Sequence, residues 1–197
     1  MKNIIYSTFL SLCVICLFSF TTHTNNVKAN KANSTVIWTG SKPTGSHTGN
    51  VTLKDGYLSF DHGRLVGGNF TIDMNSITCT DIESESKNKY LVDHLKDGDF
   101  FDVANHPEAN LKITKAKKVN DQEYEMTGLM TIRGNTNEVT FSSEVKLTGN
   151  SYTAIAKIVI DRTKWGVEYK SKNVFKNLGD KFIYDEMELD IFLVSEK

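Results

Sequence analysis

The sequence predicts an all-β domain that closes as an eight-stranded antiparallel barrel with one or two short helices. Residue pairs typical of tight turns occur at Asp55-Gly56, Gly67-Gly68, Gly134-Asn135 and Gly149-Asn150. The segments between them are rich in Val, Ile, Thr, Phe and Tyr, as in strands joined by hairpins. Within these segments, apolar and polar residues alternate. Both observations favour antiparallel sheet over helix.

The alternation is clearest in the second half of the chain. A period of two places every second side chain on one face of a strand. Three segments carry such a face: Tyr124, Met126, Gly128, Met130 and Ile132; then Val139, Phe141, Val145 and Leu147; and finally Met187, Leu189, Ile191 and Leu193. In the last segment Glu186, Glu188 and Asp190 take the opposite face. We expect each strand to have one side toward a core and one toward water.

The number of strands separates a barrel from other all-β folds. About eight segments qualify, with one or two of them continuous or split, and their centres are Val36, Val51, Phe60, Phe70, Leu111, Met126, Phe141, Ile158 and Leu189. Eight strands close a barrel whose interior is either filled by side chains or able to hold one small ligand.

Helix is expected in two short segments. Residues 85–96 contain neither Gly nor Pro, carry Leu91, Val92 and Leu95 at helical spacing, and stop before Gly98, as a short amphipathic helix does. A second helical or irregular excursion is expected over residues 172–178. The stretch from Cys79 to Glu108 is the longest interruption of the strand pattern, and it could cap one end of the barrel.

The amino-terminal segment resembles a secretory signal. Lys2 precedes an uncharged, mainly apolar run over residues 4–20, which matches the charged and apolar regions of a signal peptide. We predict a signal peptide over residues 1–29, cleaved after Ala29, and a barrel domain over residues 34–197, exported to the periplasm or secreted. A retained membrane anchor is the alternative, although the run is at the short end for a bilayer span.

Cleavage would leave one cysteine in the mature chain. Cys13 and Cys16 lie in the apolar run, so that Cys79 would remain alone and no intramolecular disulfide could form. Cys79 is therefore expected to be a structural thiol.

Composition and motifs argue against several functions. The formal net charge is -1 and no basic stripe is visible, so nucleic acid is not an expected partner. The chain has no G-x-S-x-G, H-E-x-x-H, P-loop or G-x-G-x-x-G motif, and we predict no catalytic residue, no cofactor and no enzyme. The set His94, Asp99, Asp102 and His106 has ligand types suited to a metal, but its spacing matches no metal motif, and none is predicted.

The apolar faces define candidate residues for the barrel interior. Small inward residues would leave space, and large ones would line it with flexible or flat hydrocarbon. The candidates are Trp38, Phe60, Phe70, Met74, Met126, Met130, Phe141, Ala154, Ala156, Ile158, Trp165 and Leu189. The pattern alone favours a second interpretation, in which these side chains only fill a core.

Five segments, in order along the chain, carry a resemblance to a known family. They are Thr44-Gly-Ser-His-Thr-Gly49, Gly67-Gly-Asn-Phe-Thr-Ile-Asp-Met74, His94-Leu-Lys-Asp-Gly-Asp-Phe-Phe-Asp102 followed by Pro107, Gly128-Leu-Met-Thr-Ile-Arg-Gly134, and Asp161-Arg-Thr-Lys-Trp-Gly166. In these segments the chain resembles the YceI family over roughly residues 35–194. It departs from the commoner family pattern at Asn135 and at Trp165.

The resemblance implies a lipocalin-like barrel that encloses a polyisoprenoid or a similar amphiphile, such as an isoprenoid quinone, in a periplasmic or secreted protein. The expected function is to sequester or carry that lipid, with transient membrane contact and a homodimer left open. The alternative is a secreted interaction protein with a filled barrel that acts through its outer surface.

Three polar residues are candidates for the ligand's head group. His47, Arg133 and Arg162 stand at strand ends or in turns, where a donor or cation could meet a phosphate or a quinone oxygen. For the two arginines, a structural role such as capping a turn or pairing with Asp161 or Asp102 is favoured over ligand contact, because charged side chains are usually solvated or paired.

Overall fold

The computed structural model describes residues 24–196. Alternating apolar residues form the strands, and the Pro-free, Gly-free segment after Ser84 forms the α-helix. The elements in order are β1 Thr24–Lys28, β2 Thr35–Lys42, β3 Gly45–Asp61, β4 Arg64–Asp73, α1 Glu85–Lys96, β5 Glu108–Lys118, β6 Glu123–Ile132, β7 Asn135–Thr148, β8 Ser151–Asp161 and β9 Glu186–Val194. Three short 3₁₀ turns lie at Met74–Ser76, Arg162–Trp165 and Gly179–Lys181.

Strands β2 to β9 close an eight-stranded antiparallel barrel, which confirms the predicted fold class. The order around the barrel is β3-β2-β9-β8-β7-β6-β5-β4, and β4 pairs again with β3. Strand β3 is the longest because it serves both neighbours: residues up to Val51 pair with β2, and residues from Thr52 onward pair with β4. The predicted strands around Val51 and Phe60 are thus one continuous strand.

Strand β1 lies outside this ring of eight. It pairs with residues 57–61 of β3, and Ala29, which follows it, is 2% exposed and bridges to Ser195. Most of the predicted signal peptide, residues 1–23, lies outside the described residues, as do Cys13 and Cys16. Cleavage after Ala29 stays a prediction, and it would remove a strand that the sheet uses.

Two of the four predicted turns are wrong. Asp55-Gly56 lies inside β3 and Gly67-Gly68 inside β4, beside two irregularities in their ladder. Packing explains these glycines, since a Cβ atom at Gly56 would lie 2.3 Å from Phe70 Cδ1. The turn between β3 and β4 is His62-Gly63, where both residues have positive φ, as a type I′ hairpin requires.

The other two turns follow the prediction closely. The turn at Gly149-Asn150 joins β7 to β8 as expected. The turn between β6 and β7 is one residue earlier than predicted, at Arg133-Gly134, because φ is +49° and +74° at these two residues.

The two ends of the barrel differ. At the lower end, which carries the turns β3–β4, β5–β6 and β7–β8, side chains fill the interior, and the Phe60 and Tyr152 ring centroids lie 6.1 Å apart. At the upper end the long connections cross the opening. Helix α1 has the predicted bounds, and Leu95 is its buried contact with the core. Residues 172–178 are irregular rather than helical. Within residues 24–196, no helix is long and apolar enough to span a bilayer.

The connection after β4 extends the sheet along β3. Thr78 N donates to Asn50 O at 3.0 Å, Thr80 N donates to Thr48 O at 2.9 Å, and Trp38 Nε1 donates to Thr78 O at 3.0 Å. This close approach is possible because residue 49 is glycine, since a Cβ atom there would lie 1.8 Å from Thr78 O.

Gly49→Ala should therefore destabilise the protein by about 1–3 kcal/mol, the usual cost of overpacking. Gly40→Ala on β2 is the matched control, because a Cβ atom there has no neighbour within 4 Å. Urea unfolding monitored by circular dichroism measures both. Equal midpoints for the two variants would contradict this account of Gly49.

Candidate functional site: an apolar cavity inside the barrel

The middle of the barrel encloses a cavity of about 130 Å³. All eight barrel strands contribute to its wall, and Leu95 of α1 together with Phe101 covers it from above. A single water needs about 10–15 Å³ on this measure, so the cavity has room for on the order of ten waters.

The cavity wall is almost wholly apolar. Among the described residues that line it, only Asn110 and Ser143 are polar, and both are already hydrogen-bonded. Ser143 Oγ donates to Ile155 O at 2.9 Å, and Asn110 Oδ1 accepts from Thr71 Oγ1 at 2.8 Å. Water inside would find few partners, whereas hydrocarbon would gain about 0.8 kcal/mol for each buried CH₂ group.

Most of the residues predicted for the interior do line this cavity. They are Trp38, Phe70, Met74, Met126, Met130, Phe141, Ala154, Ala156, Ile158 and Leu189. The interpretation that these side chains only fill a core is wrong for the middle of the barrel, although it describes the lower end. Whether the same residues contact a ligand stays a prediction.

Phe60 and Trp165 are buried outside the cavity lining. Phe60 packs against Tyr152 in the filled lower end. Trp165 belongs to the 3₁₀ turn that follows β8, and its Nε1 donates to Met130 O at 2.9 Å. Alternation places Phe60 inward, but it does not say at which depth along the barrel a side chain lies.

Several lining residues were missed. Val36, Leu53 and Ile72 share the inward face of a strand with a predicted or adjacent lining residue, so the period of two could have found them. Leu95 and Phe101 reach the cavity only because α1 and the residues after it fold over the barrel. No local pattern signals that contact.

His47 lies at the upper rim and does not line the cavity. Its Nδ1 is 2.9 Å from Asp81 Oδ2, and Asp81 Oδ1 accepts from Thr48 N at 3.0 Å. The buried Cys79 thiol donates to the same carboxylate at 3.2 Å, and burial, followed by this bond, raises the pKa of Cys79. Partial burial pushes the pKa of Asp81 upward, but the bonds from Thr48, His47 and Cys79 outweigh it and lower that pKa to about 2.

Arg133 fastens the upper connections to one another. Its Nη1 donates to Gly166 O, and its Nη2 donates to Gly98 O at 2.5 Å. Arg133 thus joins the turn β6–β7, the residues after α1 and the residues after β8. This geometry agrees with the structural role considered for Arg133, except that the acceptors are the carbonyl groups of Gly166 and Gly98 rather than Asp102.

Arg162 is the most deeply buried charged side chain among the described residues, at 2% exposure. Its guanidinium donates to Val167 O at 2.6 Å, Tyr184 O at 3.1 Å and Ile183 O at 3.2 Å. Desolvation lowers its pKa, partly opposed by nearby carboxylates. Its ionic partner is Asp185, at 3.4 Å, whereas Asp161 instead caps the turn through Thr163 N at 3.0 Å.

The four residues considered as metal ligands form two separate His–Asp pairs. His94 Nδ1 lies 3.6 Å from Asp99 Oδ1, and His106 Nε2 lies 3.9 Å from Asp102 Oδ2. Ligand atoms of His94, Asp97 and Asp99 lie within 4.8 Å of one another, but both carboxylates are exposed. The absence of a metal stays a prediction.

The sequence matches a known protein family over most of its length. The YceI-like domain matches residues 27–194. The chain belongs to the YceI family. The resemblance seen in the sequence motifs is thereby confirmed. No curated protein matches the chain.

Solved structures share the YceI fold. BcnA from Burkholderia cenocepacia is 21% identical over 85% of this chain and 99% of its own, with a TM-score of 0.66. A polyisoprenoid binding domain from Saccharophagus degradans, implicated in plant cell wall breakdown, is 15% identical over 86% and 97%, with a TM-score of 0.65. The Campylobacter jejuni YCEI protein is 17% identical over 100% and 94%, with a TM-score of 0.54. At these identities, the likeness establishes the fold.

Arg162→Lys should destabilise the protein by about 3–5 kcal/mol, because an ammonium cannot reach three carbonyl groups and Asp185 together. Arg64→Lys, at the exposed start of β4, should change stability by less than about 0.5 kcal/mol. Urea unfolding gives both values. Similar midpoints would mean that the buried guanidinium does not hold the upper end.

Asp81→Asn should lower stability at neutral pH, and the difference from wild type should shrink as the pH falls. A carboxylate with a lowered pKa stabilises the folded state above its unfolded pKa and loses this effect as the pH falls through the folded value. For Asp81 this window runs from 3.8 to about 2. Unfolding midpoints measured across this range test it, with the exposed Asp180→Asn as control. A constant difference would contradict the assignment.

Proposed function

We propose that this YceI-family protein binds a polyisoprenoid or a similar long-chain amphiphile, such as an isoprenoid quinone, and carries or sequesters it. The observation that carries the proposal is the apolar cavity inside the barrel, whose two polar wall residues are both hydrogen-bonded. Such a wall suits a hydrocarbon chain and recognises it by burial rather than by directed contacts.

The choice of a prenyl chain has one further support. The Saccharophagus degradans domain with the same fold is a polyisoprenoid binding domain. Because the two chains share only 15% identity, the ligand class is our inference for this protein. The apolar wall is compatible with it.

The cavity lining can adapt to chains of different length. Met74, Met126, Met130 and Met187 all line it, and methionine is flexible enough to fill irregular gaps or to withdraw from them. Since about 130 Å³ holds only part of a long prenyl chain, these side chains would move when a longer ligand enters. Selectivity for chain length should therefore be loose.

We assign the protein a binding role without catalysis. The lining, as far as the structure describes it, contains no titratable side chain, and general acid-base chemistry on an enclosed substrate would need one. An interaction protein that acts through its outer surface is the second candidate. Ile37, Ile155, Val159 and Phe192, which are exposed apolar residues of β2, β8 and β9, favour such a surface.

Export to the periplasm or beyond the cell is part of the proposal. In place of cleavage after Ala29, we propose that the mature chain keeps β1, because Ala29 N donates to Gly56 O at 2.9 Å and Glu196 N donates to Lys28 O at 2.8 Å. The intact mass of protein recovered from the envelope and the medium tests both points. A chain that begins at Asn30 would show that β1 is dispensable, and an unprocessed cytoplasmic chain would contradict export.

Protein purified from its own envelope should carry lipid. Native mass spectrometry is expected to show a bound species of defined mass, which organic extraction releases and identifies as a prenyl quinone, a polyprenyl compound or a related amphiphile. An empty protein that also takes up no prenyl lipid in solution would leave the surface-acting alternative.

Ala154→Phe should abolish that binding while the fold is kept. Ala154 is buried, faces inward on β8 and lines the cavity, so a phenyl ring would fill the space that the ligand occupies. Thr153→Phe is the matched control, because the neighbouring side chain faces solvent on the same strand. Uptake of farnesol by both variants is compared with wild type. Undiminished uptake by Ala154→Phe would place the ligand elsewhere.

A further inference from the structure

The ladder between β7 and β8 ends before either strand does. Its last pair on the upper side, which we call the fork, is Ser143 with Ala156. Above that pair, β7 continues to pair with β6 and β8 continues to pair with β9, while no ladder joins β7 to β8. We call this unpaired stretch, residues 135–142 of β7 beside 157–161 of β8, the seam.

Side chains, rather than backbone bonds, close the seam. At its upper end, Asn137 Nδ2 donates to Lys164 O at 2.9 Å. The nearest inward residues above the fork are Phe141 and Ile158, and both line the cavity. Separating the two strands here would therefore expose the cavity without breaking a strand ladder.

The barrel wall is thin at the fork. Ser143 and Ala156 line the apolar cavity on the inside and also a polar depression on the outside of the barrel. Both side chains are small, and the Ser143 hydroxyl is turned toward Ile155 O of the neighbouring strand. One layer of backbone separates the two spaces at this point.

Other routes into the barrel are better closed. The β4–β5 ladder also stops early, at Gly68 with Ile113, but the filled lower core lies behind that gap, where Leu65 is fully buried. The upper end is held by Arg162 and Arg133, which together bond five carbonyl groups. Opening the upper end would leave a buried guanidinium without partners, which is costly.

The outer depression carries excess negative charge. Asp121, Glu123 and Glu144 line it, and the one lysine in its wall, Lys157, is bonded to Glu188 at 2.6 Å and to Asp190 at 3.0 Å. Asp121 has an exposed lysine partner, at 3.3 Å. A phosphate or diphosphate placed there would be repelled, whereas a neutral or cationic head group would not.

We propose that the ligand's apolar chain enters the barrel sideways through the seam, and that its head group stays in the outer depression, which admits head groups without negative charge. This inference rests on the proposed lipid-binding function. It selects prenyl alcohols, quinones and amines over prenyl phosphates.

A reversible disulfide bond across the seam, here called a staple, tests this route of ligand entry. On a continued register, Ser142 faces Lys157 as the first pair above the fork, and both line the depression. In the double variant Ser142→Cys/Lys157→Cys, oxidation should slow farnesol uptake by about tenfold or more, and reduction should restore it, because the required opening is then blocked and released. Trp38 lines the cavity, so stopped-flow tryptophan fluorescence reports arrival.

The control staple lies inside the closed ladder. Lys146 and Thr153 are a pair three steps below the fork, and neither lines the depression or the cavity, so oxidation of Lys146→Cys/Thr153→Cys should leave uptake unchanged. Peptide mapping establishes that each disulfide has formed. Unchanged uptake with the seam stapled would overturn the route, whereas a wild-type protein that takes up no farnesol would instead contradict the proposed function.

A second experiment tests the head-group position independently of disulfide formation. In Glu123→Gln/Glu144→Gln, affinity for farnesyl diphosphate relative to farnesol should rise by about tenfold, because two repelling charges are removed, and added salt should weaken the effect. Glu83→Gln/Asp180→Asn, at the exposed upper end, is the control with the same change in net charge. An equal rise in both variants, or a rise in neither, would overturn the head-group position.

Discussion

Closure of the barrel through β3 is the constraint on which the rest of the structure depends. This one strand pairs with β2 along its first part, with β4 along its second, and with β1 on its outer edge. To do so it bends at two irregularities, beside Asp55 and Phe60, as bulged strands do. Gly56 allows Phe70 to pack against this bend. Because each half of β3 pairs with a different neighbour, the ring of eight strands depends on this strand.

A closed ring still needs ends and an entrance, and the chain treats them differently. The lower end is filled by aromatic and aliphatic side chains. The upper end is covered by irregular connections whose carbonyl groups converge on Arg162 and Arg133. A buried guanidinium with several acceptors resists opening, because the loss of an acceptor leaves its charge both desolvated and unpaired. Arg133 reaches across the seam only at its upper end, to Gly166 O, and no such cation joins the facing residues 138–142 and 157–161 below it, so the two closures differ in kind.

The sequence predicted what depends on local periodicity. Alternation identified the strands and most of the cavity wall, and the absence of Gly and Pro gave α1 its correct bounds. Prediction from the sequence failed where a residue type has two possible structural roles. Gly56 and Gly68 look like turn residues but make space for packing, and Arg162 looks like a surface cation but binds buried carbonyl groups. Those roles depend on residues distant in sequence, such as Phe70 and Tyr184.

The cavity also lowers the stability of the fold. An apolar space of about 130 Å³ that no side chain of the protein fills costs on the order of 3 kcal/mol relative to a filled core. Larger residues at Ala154 and Ala156, both inward on β8, would reduce that cost. A domain with a stability margin of about 5–15 kcal/mol gives up a substantial fraction by keeping the space. An occupant that binds only the folded barrel restores this stability in proportion to the logarithm of its concentration over Kd, so the loaded protein should be the more stable form.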